Sequence, residues 1–161
     1  MIKKNKSSTR VLIRVDYNVP IENDKILDLT RIKSSILTIE YFLKKKMKIF
    51  LISHLGRPNN RDKNYSLKKL INPLTKLLGI RVGFIPKITG IPQIPIQDLD
   101  CQIFLLENLR FYSGEKENDF QFAKLLANYG DIYVNDAFGV SHRNHASVSA
   151  INKFFPKKMY K

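Results

Sequence analysis

The sequence predicts an α/β protein: a Rossmann-like three-layer sandwich around a mostly parallel sheet, in a single domain. Three observations carry this. The runs Val11 to Val15, Lys48 to Ile52, Gln102 to Leu106 and Asp131 to Val134, with a shorter one at Val82 to Ile85, are apolar without alternation and rich in β-branched or aromatic residues. Strands buried on both faces of a parallel sheet read this way. The segments between the runs repeat apolar residues at three- and four-residue spacing, and strand, helix, strand in that order argues for right-handed βαβ units. A chain of 161 residues suits one domain, burying roughly two thirds of its unfolded surface.

The elements follow in order. After the first strand, Leu29, Ile32, Ile36, Ile39 and Leu43 form a helical stripe behind a capping Asp28, and Lys44, Lys45 and Lys46 favour a helix C-terminus. Ser66 opens a second helix, with Leu67, Leu70, Ile71, Leu74, Leu77 and Leu78 inward and Gly79 at the C-terminal cap. Pro73 falls inside that pattern, where a proline is expected to kink or split the helix at a cost of about 3 kcal/mol. Pro86 to Pro95 reads as a connecting loop. A third helix is predicted from Asn118 to Tyr129, with Phe122, Ala123, Leu126 and Ala127 inward and Gly130 closing it. A fourth is predicted to start near His145 and to carry Val148, Ile151 and Phe155.

The formal charge of +14 raises the question of a polyanionic partner. Its makeup argues otherwise. Lysine outnumbers arginine 20 to 8, and asparagine and isoleucine are also heavily used; these residues share A/T-rich codons, so compositional drift accounts for the excess. No nucleic-acid recognition motif accompanies the charge. No run approaches the ~18 apolar residues of a membrane span, and no apolar segment of a signal peptide follows the basic start, Met1 to Lys6. A cytoplasmic protein is expected. The single cysteine, Cys101, forms no internal disulfide and reads as structural. His142 and His145 lack Cys or carboxylate partners at zinc spacing, so no metal site is expected. A glycine-rich phosphate loop is also missing.

Each of four strand runs ends in polar or cationic residues: Asp16 and Asn18, His54 and Arg57, Asn108 and Arg110, Asn135 and Asp136. In open α/β sheets ligands bind beyond the carboxyl ends of the strands, so these clusters are expected to converge. Gly56 and Arg57 in His54-Leu55-Gly56-Arg57-Pro58 suit phosphate, through close backbone approach and a planar guanidinium fork. Asp16 and Asn18 suit the hydroxyls of a small ligand. Taken alone, the first motif is equally a surface turn and the second an Asx turn. Arg31 sits in a helix's first turn, where the dipole disfavours a cation, so something else is expected to select it. With Arg110 and Arg143 it completes four arginines, beside His54, His142 and His145, gathered with few carboxylates at one sheet edge. Mutual repulsion makes such a set costly without an anion, and a phosphorylated small molecule fits.

The strings Arg14-Val15-Asp16-Tyr17-Asn18-Val19-Pro20, Ser53-His54-Leu55-Gly56-Arg57-Pro58, Leu105-Leu106-Glu107-Asn108-Leu109-Arg110-Phe111 and Val134-Asn135-Asp136-Ala137-Phe138-Gly139, with His142-Arg143 and His145-Ala146-Ser147, resemble the phosphoglycerate kinase family in order and spacing. The likeness is to that family's N-terminal domain and spans nearly the whole chain, 1–161. It implies reversible phosphoryl transfer between 1,3-bisphosphoglycerate and ADP in glycolysis, giving 3-phosphoglycerate and ATP. It further implies that Asp16 and Asn18 contact the glycerate hydroxyl, and that His54, Arg57, Arg110 and Arg143 form the basic patch for the non-transferred phosphate, supported by His145. Arg31 would reach the carboxyl end and stabilise charge in flight, the electrostatic work phosphoryl transfer requires. The family's Mg-ADP/ATP site lies in a half not seen here, so this chain is expected to bind no cofactor of its own and to be without turnover alone. It would be a fragment, a truncated gene product or one piece of a split enzyme whose partner is a separate nucleotide-binding half. The rivals are a basic, non-enzymatic binding protein that keeps the fold, and a degraded remnant of the enzyme.

Overall fold

The computed structural model describes residues 9–155; the basic start and the end of the chain from Pro156 lie outside them. In chain order the strands are β1 (Arg10–Arg14), β2 (Ile21–Glu22), β3 (Lys25–Ile26), β4 (Lys48–Ile52), β5 (Val82–Ile85), β6 (Ile103–Leu106) and β7 (Ile132–Asn135). The helices are α1 (Thr30–Ser34), α2 (Ile36–Lys44), α3 (Ile71–Leu78), α4 (Ser113–Lys116) and α5 (Phe120–Ala127). The five predicted strands form one parallel sheet in the order β5-β6-β4-β1-β7.

Unalternated runs become two cores because strand side chains point to opposite faces in turn. Val11 and Ile13 share one face with Ile49, Leu51, Ile103 and Leu105, against Ile32, Ile39, Phe42, Leu70 and Leu74. Leu12 shares the other with Phe50, Ile52, Phe104 and Leu106, against Phe122, Ala123, Leu126 and Ile151. Burying each of the larger of these side chains contributes about 1.5–3 kcal/mol, and the two cores make the three layers.

Several helices differ from their sequence expectation. The first is interrupted at Ser35, whose hydroxyl donates to the Ile32 carbonyl and meets the Tyr17 hydroxyl, both at 2.8 Å, a side-chain competitor for helical acceptors. Asp28 is not its N-cap, which is Leu29, but accepts from the Thr30 N–H at 2.8 Å from one residue before it. Pro73 splits the second segment into a 3-10 turn, Leu67–Leu70, and α3. It thereby falls in the first turn of α3, where a backbone N–H has no intrahelical partner, so the expected ~3 kcal/mol penalty does not arise. Gly79 caps α3 in the left-handed region, φ 67°.

The third helix is shorter than predicted. Asn118 sits at φ 53°, outside helical space, and Asp119 caps α5 by accepting from the Phe122 N–H at 2.6 Å. Gly130 is no left-handed cap. It lets the chain pass β1 closely, since a Cβ there would lie 2.8 Å from the Leu12 nitrogen. The predicted fourth α-helix is instead a turn at His145 followed by a 3-10 helix, Ala150–Phe154. Asn118 takes the Ala150 N–H at 3.0 Å, the donor an α-helix from Ala146 would have used. The β2–β3 hairpin was not anticipated, although Asn23 and Asp24 at φ 47° and 62° are residue types suited to a two-residue left-handed turn.

Candidate functional site

The site is built outward from the last residue of β1. Arg14 is fully buried. Its Nε donates to Ser147 Oγ at 3.0 Å, Nη2 to His54 Nδ1 at 2.9 Å, and Nη1 to the Val15 carbonyl and, at 3.4 Å, to Ser53 Oγ. Ser147 in turn donates its hydroxyl to Glu115 Oε1 at 2.6 Å and its N–H to Oε2 at 3.0 Å, so a buried carboxylate balances the buried guanidinium. Burial nevertheless pulls the Arg14 pKa down, against the raising effect of Glu115.

His54, the second residue past β4, is also buried. Burial, then the positive charge of Arg14, Arg110 and Arg143 and the neighbouring His145, pushes its pKa down to about 2. The ring is neutral. Because arginine can only donate, Nδ1 must be the acceptor, which leaves Nε2–H as the ring's donor.

The loop after β4 is held by amides. Asn18 Oδ1 accepts from the Gly56 N–H at 2.8 Å. Asn108 uses its whole hydrogen-bonding capacity, donating to the Leu55 and Tyr65 carbonyls and accepting from the Leu55 and Arg110 N–H groups. Gly56 has φ 61°, and a Cβ on it would lie 2.4 Å from the Tyr65 ring, so glycine is required twice over. Glu107 holds the neighbouring turn, accepting from Ser66 Oγ, the Leu67 N–H and the Asn108 N–H.

On this frame stand the remaining cations. Arg110 donates through Nη1 to the Gly56 carbonyl at 2.7 Å, while its buried Nε has no partner. Burial, then Arg143 and Arg57, lower its pKa. Exposed Arg57 and half-buried Arg143 make no side-chain hydrogen bond or ion pair among the described residues. His145 Nδ1 lies 3.9 Å from Glu115 Oε1, and burial outweighs that carboxylate in lowering its pKa. His54, Arg57, Arg110, Arg143 and His145 stand near one another, while His142 is exposed beside Arg143.

Asp16, Asn18 and Arg31 form the flank. Asp16 Oδ1 accepts from the Asn18 N–H at 3.3 Å, so the Asx turn is real. Arg31 Nη1 reaches both Asp16 oxygens, at 3.2 and 3.0 Å; this carboxylate is what keeps a cation in the first turn of α1. Asp136 is half-buried, with Oδ2 unpartnered and its carboxyl pKa raised by burial. An open pocket of about 400 Å³ adjoins the flank, lined by Asn18, Gly56, Tyr65, Asp24 and Lys69 among others.

Sequence reading missed Arg14, Ser53, Glu115 and Ser147 as site residues. For Arg14 the signal was present: an arginine inside an otherwise apolar strand must be buried, and a buried charge demands partners. Ser147 lay in a quoted string without a role of its own, and Glu115 gave no signal, because only folding puts the two beside β1.

Chemically, the cluster can grip a multiply charged anion by bidentate guanidinium forks and one imidazole N–H. No group of three or more His, Cys, Asp or Glu side chains that could hold a metal exists among the described residues. No helix of the described residues is long and apolar enough to cross a membrane.

Comparison with known proteins matches the strand-end strings to one family. The sequence model of phosphoglycerate kinase matches residues 2–160. The chain is 53% identical over 148 residues to the phosphoglycerate kinase of Wolbachia sp. subsp. Drosophila simulans, covering 91% of this chain and 37% of that protein. It is 49% identical over 155 residues to that of Helicobacter pylori strain 26695, covering 95% and 39%, and 47% identical to a cytosolic one from Triticum aestivum, covering 90% and 37%. Among solved structures, the phosphoglycerate kinase of Coxiella burnetii superposes with a TM-score of 0.82 at 36% identity, over 96% of this chain and 39% of that one. That of Pyrococcus horikoshii gives 0.78 at 28% identity, over 92% and 39%. The chain therefore spans well under half the length of the relatives it matches, and with its five-stranded parallel sheet and strand-end motifs it belongs to the phosphoglycerate kinase family.

Proposed function

We propose that this chain forms the glycerate-binding wall of a phosphoglycerate kinase, holding 3-phosphoglycerate or the acyl phosphate 1,3-bisphosphoglycerate. One observation supports this most: Arg57 and Arg143 have no side-chain partner among the described residues and Arg110 has a buried, unpartnered Nε, although all three stand close to one another. Unpaired cations packed together cost free energy unless an anion joins them. In this reading His54, Arg57, Arg110 and Arg143 hold the non-transferred phosphate, with His145 behind them. Asp16 and the Asn18 amide take the glycerate hydroxyl, and Arg31 turns from Asp16 toward the carboxyl end to offset charge on the phosphoryl group in flight.

The nucleotide and its magnesium belong to a further domain in this proposal, supplied by the rest of a longer protein or by a separate half. The 161-residue chain then binds its ligand weakly and turns nothing over. A cytosolic place fits a glycolytic reaction and the wheat relative's description. Calorimetric titration of the purified chain with 3-phosphoglycerate is expected to show binding, weakened about tenfold or more in Arg57→Ala and in Arg143→Ala by loss of charged hydrogen bonds. Undiminished binding in both variants sinks the site assignment, and ATP formation by the chain alone overturns the division of labour.

A further inference from the structure

We propose that Glu115 and Ser147 are positioning residues for His54: through Arg14 they lock the imidazole as an Nε2–H donor for the anion. The inference rests on the anion-binding reading of the cluster, but its central measurement needs no ligand.

Donor directions are forced along the whole chain of contacts. Arginine has five N–H donors and no acceptor. The Arg14 Nη2 to His54 Nδ1 contact at 2.9 Å therefore runs one way, with Nδ1 unprotonated. The Arg14 Nε to Ser147 Oγ contact at 3.0 Å also runs one way, so Ser147 Oγ accepts and its own hydrogen must go elsewhere. It goes to Glu115 Oε1 at 2.6 Å. Glu115 Oε2 accepts the Ser147 N–H at 3.0 Å, and the Glu115 carbonyl accepts the Ala146 N–H at 2.9 Å. Thus α4 grips the 146–147 turn from two sides, and the turn grips Arg14. All members are buried: Arg14 and Ser147 at 0%, Glu115 at 1% and His54 at 2% exposure. A broken link therefore cannot be replaced by bulk water without moving the backbone.

Positive charge surrounds His54: Arg14 from β1, Arg110 after β6 and Arg143 from the loop after β7, with the His145 ring beside them. An Nδ1–H tautomer would aim a hydrogen at the Arg14 guanidinium and turn an acceptor toward a bound anion. The chain of bonds from Glu115 excludes that arrangement.

Nitrogen-15 NMR of the ring nitrogens in the ligand-free chain reads the tautomer directly. Wild type is expected to hold His54 wholly as Nε2–H. Ser147→Ala, which removes the acceptor for Arg14 Nε, is expected to give a mixed tautomer and to weaken 3-phosphoglycerate binding about fivefold; Ser147→Thr, which restores the hydroxyl, keeps the wild-type ring. Glu115→Gln, which cannot accept both Ser147 donors at full charge, is expected to mix the tautomers too. An Nδ1–H ring in the wild type, or an unchanged pure Nε2–H ring in folded Ser147→Ala or Glu115→Gln, overturns the proposal. An Nδ1–H wild-type spectrum has that force even where a variant fails to fold. An Nε2–H ring that responds to these substitutions in a chain that binds no 3-phosphoglycerate supports the positioning role and retires the proposed ligand instead.

Discussion

Arg14 and Arg143 belong to the same cationic cluster, yet they are held in opposite ways. Arg14 is fully buried and donates to Ser147, His54, Ser53 and the Val15 carbonyl. Arg143 is half-buried and donates through its side chain to nothing among the described residues. A charge removed from water survives only with its donors satisfied and a counter-charge near, which Glu115 supplies to Arg14. Arg14 is thus part of the fold, and Arg143 is available to something that arrives. The contrast predicts that the two kinds of arginine separate cleanly between stability and binding.

The largest effect tests the first half. Arg14→Met leaves Glu115 buried without its counter-charge and unseats Ser147 and His54, and is expected to cost about 3–5 kcal/mol of stability, read from urea unfolding. Arg143→Ala is expected to stay within about 0.5 kcal/mol of wild type. Similar losses from both would erase the distinction.

Next in size is a pH effect. The His54 pKa falls from 6.5 to about 2 on folding, so the unfolded chain takes up a proton that the folded chain refuses. Above the unfolded value both states hold a neutral ring and nothing is lost. As pH falls below it, stability declines by about 1.4 kcal/mol per pH unit from this group, or about 2 kcal/mol by roughly pH 5. Denaturation of wild type and His54→Gln at neutral and acidic pH isolates the term, because carboxylates common to both cancel. Equal acid sensitivity in the two would show that His54 is not held neutral by burial and its cationic surroundings.

What was legible in the sequence divides along a similar line. The strands were readable because burial on both faces leaves an unalternated apolar run, and all five appear in the sheet. Strand-end residues were readable because parallel topology puts them on one edge. Helix ends were less so: Ser35, Asn118 and Pro73 each reset a boundary through one hydrogen bond or one backbone angle, which apolar spacing does not register. The buried support of the site was the least legible. Arg14 lies within a run read as apolar, and the Glu115–Ser147 contact spans 32 positions, so no local pattern relates its two members.

A smaller effect probes the second half of the contrast. If Arg143 grips phosphate through its fork, Arg143→Lys keeps the charge but loses the bidentate geometry. Its affinity for 3-phosphoglycerate is expected to fall between wild type and the roughly tenfold-weaker Arg143→Ala. A lysine variant indistinguishable from wild type in titration would reduce the arginine to a point charge.

A small stability change is also expected at Arg31, which sits between the two classes. It has a carboxylate partner, Asp16, but engages it through Nη1 alone, and its side chain is 52% exposed. An ion pair so open to water contributes about 0.2–1 kcal/mol and is further weakened by salt. Arg31→Ala should therefore unfold within about 1 kcal/mol of wild type at low ionic strength and more nearly alike in high salt. The pair places an exposed cation beside the cluster without committing it to the fold, since exchanging Asp16 for a ligand carboxylate forfeits little. If Arg31→Ala instead costs several kcal/mol, the Asp16 pair is structural like that of Arg14, and Arg31 is not free to move to a substrate.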